Sequence, residues 1–514
     1  AIEMTQQQLT LIKNILGKDS STYIGRLNDL AYYYSHIGDN ASAIKFTEEA
    51  LLMVKESSNV PQSLFAVMLN NLATYYDAMG NLEKAIELAK EALSIRKRVL
   101  GTHHPDYALS LNNLATYYQK SGDIKKAIDY YLLAFEIYAE TGMKIGYANT
   151  LQNLADCFYE LGDMDTAIQY TKESLEERKE IYGNRHSEYA HSLFNLVSYS
   201  LAASDTTNVV PSYLELYDIR SSIIKDMFAN LTTREREIYW QEYMTFFEED
   251  MPLVAYHVGN QELVEAAYDA MLLTKGVLLD TEREMMHLLQ ESGDSIVISQ
   301  YEELRNNRML LNKLYETAVS ERRMNVDSLE RSVNRQELQL IKSSKAYGDY
   351  THNMSITWQD VQKKLGAGDI TIEFKHFDVY KLKDVLYVAF VLKKEYASPK
   401  MIPLFTQKDL LDMKEEEWYT TTKLNEMLWK PLSDELKGMK NIYFAPTGLL
   451  HGIAIENLPD THGYINEKYN LYRLSSTREL VKKRSRNMIK NVALYGGLVY
   501  DTDTVFRASD IQRG

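Results

Sequence analysis

Asn70-Asn-Leu-Ala-Thr-Tyr-Tyr-Asp-Ala-Met-Gly80 returns 42 residues later as Asn112-Asn-Leu-Ala-Thr-Tyr-Tyr-Gln-Lys-Ser-Gly122. Working outward, the same frame holds Leu30, Leu72, Leu114, Leu154 and Leu196, in steps of 42, 42, 40 and 42 residues read from their numbers. A glycine follows at Gly38, Gly80, Gly122 and Gly162. Small residues then recur at Ala43, Ala85, Ala127 and Ala167, and at Ala50, Ala92, Ala134 and Ser174. A fixed period of this size predicts a stacked array of helix pairs, each unable to bury its apolar face alone. Leu72, Ala73 and Tyr76 cluster on one helical face. Gly80 ends that helix, where a left-handed backbone costs glycine little. Ala85 and Ala92 form a small-residue stripe that lets neighbouring helices approach. Residues 4–16 align with the second helix of a repeat whose first helix is missing, so more chain is expected ahead of Ala1.

The segment resembles tetratricopeptide repeats, in the longer form found in kinesin light chains. Its linking loop also recurs, Gly101-Thr-His-His-Pro-Asp-Tyr-Ala108 as Gly183-Asn-Arg-His-Ser-Glu-Tyr-Ala190. The matched slots of His104 and His186 point to a structural role for both. The resemblance implies that the first helices line a concave face. Its outward stripe comprises Asn28, Tyr32 and Ser35, then Asn70, Thr74 and Asp77, then Asn112, Thr116 and Gln119, then Gln152, Asp156 and Tyr159. Side-chain amides there suit the donor and acceptor of an extended peptide backbone. The alternative is that each caps or bridges its own repeat.

The chain of 514 residues has room for several domains. With 72 acidic and 57 basic side chains the net charge is −15, which disfavours general nucleic-acid binding. The longest apolar run, Val385 to Leu392, is too short to span a bilayer, so no membrane contact is expected. One cysteine, Cys157, excludes an intrachain disulfide and suits a reducing, cytoplasmic setting. It lies in the first-helix pattern beside Phe158 and reads as packing.

Residues 1–204 are thus expected to form the array, 205–350 a helical connecting region, and 351–514 the front part of an α/β domain. In the middle, Thr232 and Glu235 read as a capping box opening a helix over Arg234–Phe247. Further helices are expected over Glu262–Asp280, Leu279–Leu289, Val297–Val319 and Asp327–Lys345. After Tyr350 a short helix, Trp358–Leu365, precedes strands at Asp369–Phe377, Val385–Lys393, Met401–Phe405, Asn441–Ala445, Leu471–Leu474 and Asn491–Leu498. A helical stretch about Lys408–Gly438, kinked by Pro431, and a short helix near Ile453–Leu458 complete the pattern. The fold class is α plus α/β: repeat superhelix, helical linker and a partial sheet.

Leu231-Thr-Thr-Arg-Glu-Arg-Glu-Ile-Tyr-Trp-Gln241 and Ala266-Ala-Tyr-Asp-Ala-Met-Leu-Leu-Thr-Lys-Gly276 resemble the stretch joining such arrays to CHAT domains, which are caspase-like modules. Ile356-Thr-Trp-Gln-Asp-Val-Gln-Lys-Lys-Leu365 with Asp369-Ile-Thr-Ile-Glu-Phe374 is similar to the opening of a CHAT domain. Pro446-Thr-Gly-Leu-Leu-His-Gly-Ile-Ala-Ile-Glu-Asn-Leu458, Leu474-Ser-Ser476 and Ala493-Leu-Tyr-Gly-Gly497 are similar to its later landmarks. The resemblance implies thiol proteolysis of a protein substrate: a thiolate attacks the scissile carbonyl while a histidine activates it and backbone N–H groups hold the oxyanion.

The family's strings for that pair, His-x-Thr-His-Gly and Ser-x-Cys-x-Thr-Gly, do not occur in this sequence, and His451 does not match the first. No catalytic residue is therefore assigned. Asn491–Leu498 reads as an interior strand with too little chain after it to supply a neighbour, so a continuing segment or a separate C-terminal fragment is expected to complete the sheet. No phosphate loop, dinucleotide fingerprint or metal spacing occurs, so no cofactor or metal is expected. The leading expectation is a repeat-regulated caspase-like cysteine endopeptidase whose array recruits or senses a protein or peptide partner. A non-catalytic peptide-binding adaptor is the alternative, and a subunit of a bacterial defence complex a third.

Overall fold

The computed structural model describes residues 2–17, 20–56, 61–228, 240–241, 243–279, 294–344, 352–353, 355–379, 382–461 and 463–481. The first half is a run of antiparallel helix pairs. Helix α1 (Ile2–Leu16) lies against α2 (Ser21–His36), and the pairs continue as α2 with α3 (Asn40–Glu56) and α4 (Gln62–Ala78) with α5 (Leu82–Leu100). Next come α6 (Pro105–Lys120) with α7 (Ile124–Thr141), α8 (Lys144–Glu160) with α9 (Met164–Tyr182), and α10 (Ser187–Ala202) with α11 (Thr206–Phe228).

The turn inside each pair follows from two adjacent residues. Gly80 takes φ +79°, open to glycine at little cost, and Asn81 then accepts the Lys84 N–H to cap α5. Asp123 and Asp163 repeat that cap for α7 and α9. The alanine stripe is fully buried at Ala43, Ala50, Ala85, Ala92, Ala127, Ala134 and Ala167. Ser174 fills the remaining slot by donating to the Ala148 carbonyl at 2.9 Å. In α4 the deeper ring is Tyr75, while Tyr76 is half-buried and donates to Glu48.

The middle of the chain divides in two. A π-helical turn, Phe246–Asp250, leads into α12 (Met251–Val258) and α13 (Gln261–Leu279). These share one apolar core with Leu193 and Val197 of α10, with α11, and with one face of the C-terminal sheet. The second part is a hairpin of α14 (Ser295–Tyr315) and α15 (Val326–Ser343), whose buried side chains form a separate cluster. The expected capping box at Thr232 and the helix Leu279–Leu289 fall outside the described residues, the last helical position Leu279 excepted.

Helix α16 (Trp358–Lys364) opens the sheet domain under a capping box from Thr357 and Asp360. Strands β1 (Asp369–Val379), β2 (Asp384–Lys393) and β3 (Lys400–Thr406) form an antiparallel meander. On the other side of β1, β4 (Asn441–Ala445) and β7 (Asn470–Arg473) run parallel to it, giving the order β3-β2-β1-β4-β7. A two-stranded ladder, β5 (Pro459–Asp460) with β6 (Gly463–Tyr464), lies between them in the chain.

Side chains alternate across β1. Ile370, Ile372 and Phe374 face a core with Leu428 and Trp429, while Phe377 and Val379 face the core shared with α12 and α13. The expected long helix over Lys408–Gly438 is instead a chain of short helical pieces between Gln407 and Leu436, and Pro431 sits in a 3-10 turn, Lys430–Leu432. The Ile453–Leu458 helix is one 3-10 turn, Ile455–Asn457. The expected strand Asn491–Leu498 lies outside the described residues.

Candidate functional site

The stripe along the first helices is knitted together by hydrogen bonds, many of which step from one repeat to the next. Asn28 Oδ1 accepts from Asn71 at 3.0 Å, and Asn112 Oδ1 accepts from Asn153 and Thr150 at 3.2 Å each. Thr74 shares a hydrogen bond with the Tyr117 hydroxyl at 3.1 Å, and Asp156 accepts one from the Tyr199 hydroxyl. Asp77 pairs with Lys120 at 2.6 Å, and Gln119 donates to Glu160 at 2.7 Å. Thr116 and Gln119 both meet the Tyr131 hydroxyl. Gln152 is buried, donates to Asp156 and accepts from Ser192. Ser35 donates to Asn40 within its own repeat, and Tyr159 stacks on Tyr199.

Helix α4 lacks two of these bonds, one on each side. Asn70 Oδ1 and the Tyr75 hydroxyl, in side chains only 5% and 4% exposed, have no hydrogen-bond partner among the described residues. Their counterparts in later repeats, Asn112 and Tyr117, are bonded to neighbouring repeats. Toward the preceding repeat, beside Tyr75, Tyr32 stands where later repeats place Thr74 or Asp156, and it is half exposed, edge-on to Tyr33 and His36.

His104 and His186 are helix N-caps: each Nδ1 accepts the N–H two residues on, from Asp106 and Glu188. Two buried arginines also recur at equivalent positions, and the sequence reading missed them. Arg96 donates to Ser110 and the Asp106 carbonyl, and Arg178 to Ser192 and the Glu188 carbonyl. Their only signal was an Arg 14 residues before a Ser, on the helices either side of each linking loop, which charge patterning alone would assign to the surface.

The second concentration of chemistry is at the carboxyl ends of the parallel strands, where open sheets bind ligands. Glu373 of β1 is fully buried and faces the helices. Its Oε1 accepts from Ser476 Oγ at 2.8 Å, Thr477 N at 2.5 Å and Thr477 Oγ1 at 2.9 Å, and its Oε2 from Lys275 Nζ of α13 at 2.5 Å. Two residues on, Lys375 pairs with Glu248 of the π-helical turn, and burial pushes its ammonium down to about 7.

On the opposite face His376 meets Thr447 Oγ1 at 2.8 Å and stacks on Tyr387. Burial, then the nearby Lys375, holds its imidazolium below the usual range. Burial, with Lys275 and Arg473 nearby, does the same for His451. Arg473 fixes the turn carrying His451 by donating to Glu456 and the Ile453 carbonyl.

Cys157 is fully buried in the array, and burial, aided by Glu160 and Asp156, pushes its thiol up to about 12. It is far from thiolate chemistry at neutral pH. Among the described residues no group of three or more metal-ligating side chains comes together, and no helix is long and apolar enough to cross a membrane.

The family model for the tetratricopeptide repeat matches residues 64–140 and 146–221, and that for the CHAT domain matches residues 420–512. No curated protein matches the chain. Among solved structures, BtubC from P. vanneervenii is 21% identical over 43% of this chain and 90% of its own, with TM-score 0.40. Putative kinesin light chain repeats from Podosopora anserina are 19% identical over 40% of this chain and 98% of theirs, with TM-score 0.35. The apo form of RapI is 17% identical over 61% of this chain and 99% of its own, with TM-score 0.35. The helix pairs with their 42-residue frame and the module that follows them carry these two family matches in order, which supports a tetratricopeptide repeat array joined to a CHAT domain.

Proposed function

We propose that the array binds a protein or peptide partner and that the C-terminal module is the front part of a caspase-like cysteine endopeptidase acting on a protein substrate. The observation that carries this reading is the single apolar core running from Leu193 of α10 through α13 to Phe390 of β2. A partner seated on the repeats would thereby act on a body continuous with the sheet. We divide the chain into array, connecting helices and CHAT module at about 204 and 350. Tyr32, Asn70 and Tyr75 are where we place one end of a bound peptide: Tyr32 is half exposed, and Asn70 Oδ1 and the Tyr75 hydroxyl have no hydrogen-bond partner among the described residues. Asn28, Thr74, Asp77, Asn112, Thr116, Gln119, Gln152 and Asp156 form the wall beyond it. A cytoplasmic location fits the single cysteine of this sequence, and a role in bacterial defence is suggested by the family resemblance alone.

The test is a fluorogenic peptide panel applied to the longest chain its gene encodes, with and without proteins captured on the array. Cleavage that rises on adding a captured protein supports the reading. Silence across Arg, Asp and Leu P1 residues overturns it. The adaptor is favoured by one observation: Cys157, the chain's one cysteine, is buried with a raised thiol pKa. Partner capture without any cleavage would establish it.

A further inference from the structure

The two copies of the linking loop differ at the residues that touch the α14–α15 hairpin. In the first copy, His103 meets Glu140 of its own neighbourhood, and Pro105 occupies the first position of α6. In the second copy Arg185 and Ser187 stand in those slots. Arg185 Nη1 lies 3.2 Å from Glu330 of α15 and donates to the Tyr315 hydroxyl of α14 at 3.1 Å, with its guanidinium over that ring. The Ser187 N–H and hydroxyl donate to the two oxygens of Glu316, at 3.3 and 2.7 Å. His186 Nε2 lies 3.6 Å from the same carboxylate. Arg322, from the hairpin's tip, donates to the Tyr182 carbonyl at the end of α9. A proline at position 187 could not supply that N–H.

The hairpin needs none of this to hold itself together. Val297, Tyr301, Leu304, Leu311, Leu314, Leu329, Val333 and Leu340 form its own buried cluster. Arg308 pairs with Glu337 at 2.7 Å, and Asn307 bonds Gln336 across the two helices. The contacts named between hairpin and array are polar and partly exposed, whereas α12 and α13 join the array through buried apolar side chains. Polar groups released from such a contact regain water, so separation exposes little apolar surface.

We propose that the loop Tyr182–Ser187 is a docking surface built for the α14–α15 hairpin, and that this contact is a releasable latch. Arg185, Ser187 and Arg322 hold it, Glu316 and Glu330 are their counterparts, and salt opens it. The proposal concerns the hairpin's position alone and does not rest on proteolysis.

The test places spin labels at Lys179→Cys and Arg323→Cys, both exposed, in a Cys157→Ala background. The expected result for the parent chain is one short, narrow distance at low salt. At about 1 M salt the ratio of docked to released hairpin should fall about tenfold, since exposed ion pairs are then screened. Arg185→His with Ser187→Pro, which rewrites the second loop as the first, should release the hairpin at low salt with helical circular dichroism unchanged. Arg185→Glu should release it as well, and adding Glu330→Arg should restore the short distance. A short distance that persists in the loop-rewritten variant overturns the latch, as does a docked-to-released ratio in the parent chain that is unchanged at high salt, which needs no loop or charge substitution. So does a charge swap that fails to restore docking.

Discussion

Lys275 Nζ lies 2.5 Å from Glu373 Oε2, joining a helix of the connecting region to the first strand of the sheet. The carboxylate is fully buried, so the ammonium offsets a charge that would otherwise stand unpaired away from water. Lys275→Met should lower stability by about 3–5 kcal/mol, read from the urea midpoint. Adding Glu373→Gln should recover part of that loss, because the neutral amide still accepts from Thr477. A loss below about 1 kcal/mol in the single variant would show that the pair does not hold the seam.

Asp269 makes stability at the same seam depend on pH. It accepts the Trp358 N–H at 2.6 Å, yet burial raises its carboxyl to about 7. A raised acid favours the folded state fully below its unfolded value near 4, and that contribution is lost as pH climbs through about 7. Asp269→Asn keeps an acceptor for Trp358 and removes the titration. The parent chain should therefore lose about 2–4 kcal/mol relative to the variant between pH 4 and pH 8, measured by urea unfolding at each pH. Parallel pH profiles for the two proteins would refute this.

Gly448 sits at φ +52°, and a Cβ there would lie 2.7 Å from the Tyr387 hydroxyl and 3.1 Å from His376. The turn after β4 is held by these side chains, Tyr387 accepting the Leu449 N–H and His376 meeting Thr447. Gly448→Ala should cost about 1–3 kcal/mol through strain and overpacking, and should shift the thermal midpoint downward. An unchanged midpoint would mean the turn adjusts freely.

Cys157 should resist alkylation in the native protein at pH 8 and react fully in urea, as intact mass would record. Its thiol is buried and its pKa is raised, so little thiolate is present for the reagent to meet. Cys157→Ala should leave any peptidase activity unchanged.

What could be read from the sequence was what depends on local periodicity. The leucine frame, the glycine turns, the alanine stripe and the strand Asn441–Ala445 need only neighbouring residues to be interpreted, and the structure places each of them. The recurring histidines were legible as structural because a repeated slot repeats a local role. Pairings between distant residues were not legible. Nothing near Glu373 announces that its partners are Lys275, 98 residues earlier, and Thr477, 104 residues later. Arg178 reads as a surface charge until Ser192 and Asn149 are seen to enclose it. The stretch after Lys408 looked helical by composition, but packing onto β2 and β3 breaks it into single turns.

The apolar seam between α10, α13 and the sheet also bears on how this gene can be cut and recombined. A fragment ending at residue 204 would present Tyr189, Leu193 and Val197 to water, and one beginning at residue 351 would bare Phe377, Val388 and Phe390. Each would be prone to aggregate when expressed alone. Exchange of repeat arrays between relatives must therefore carry the helices up to Leu279 along with the sheet they cover.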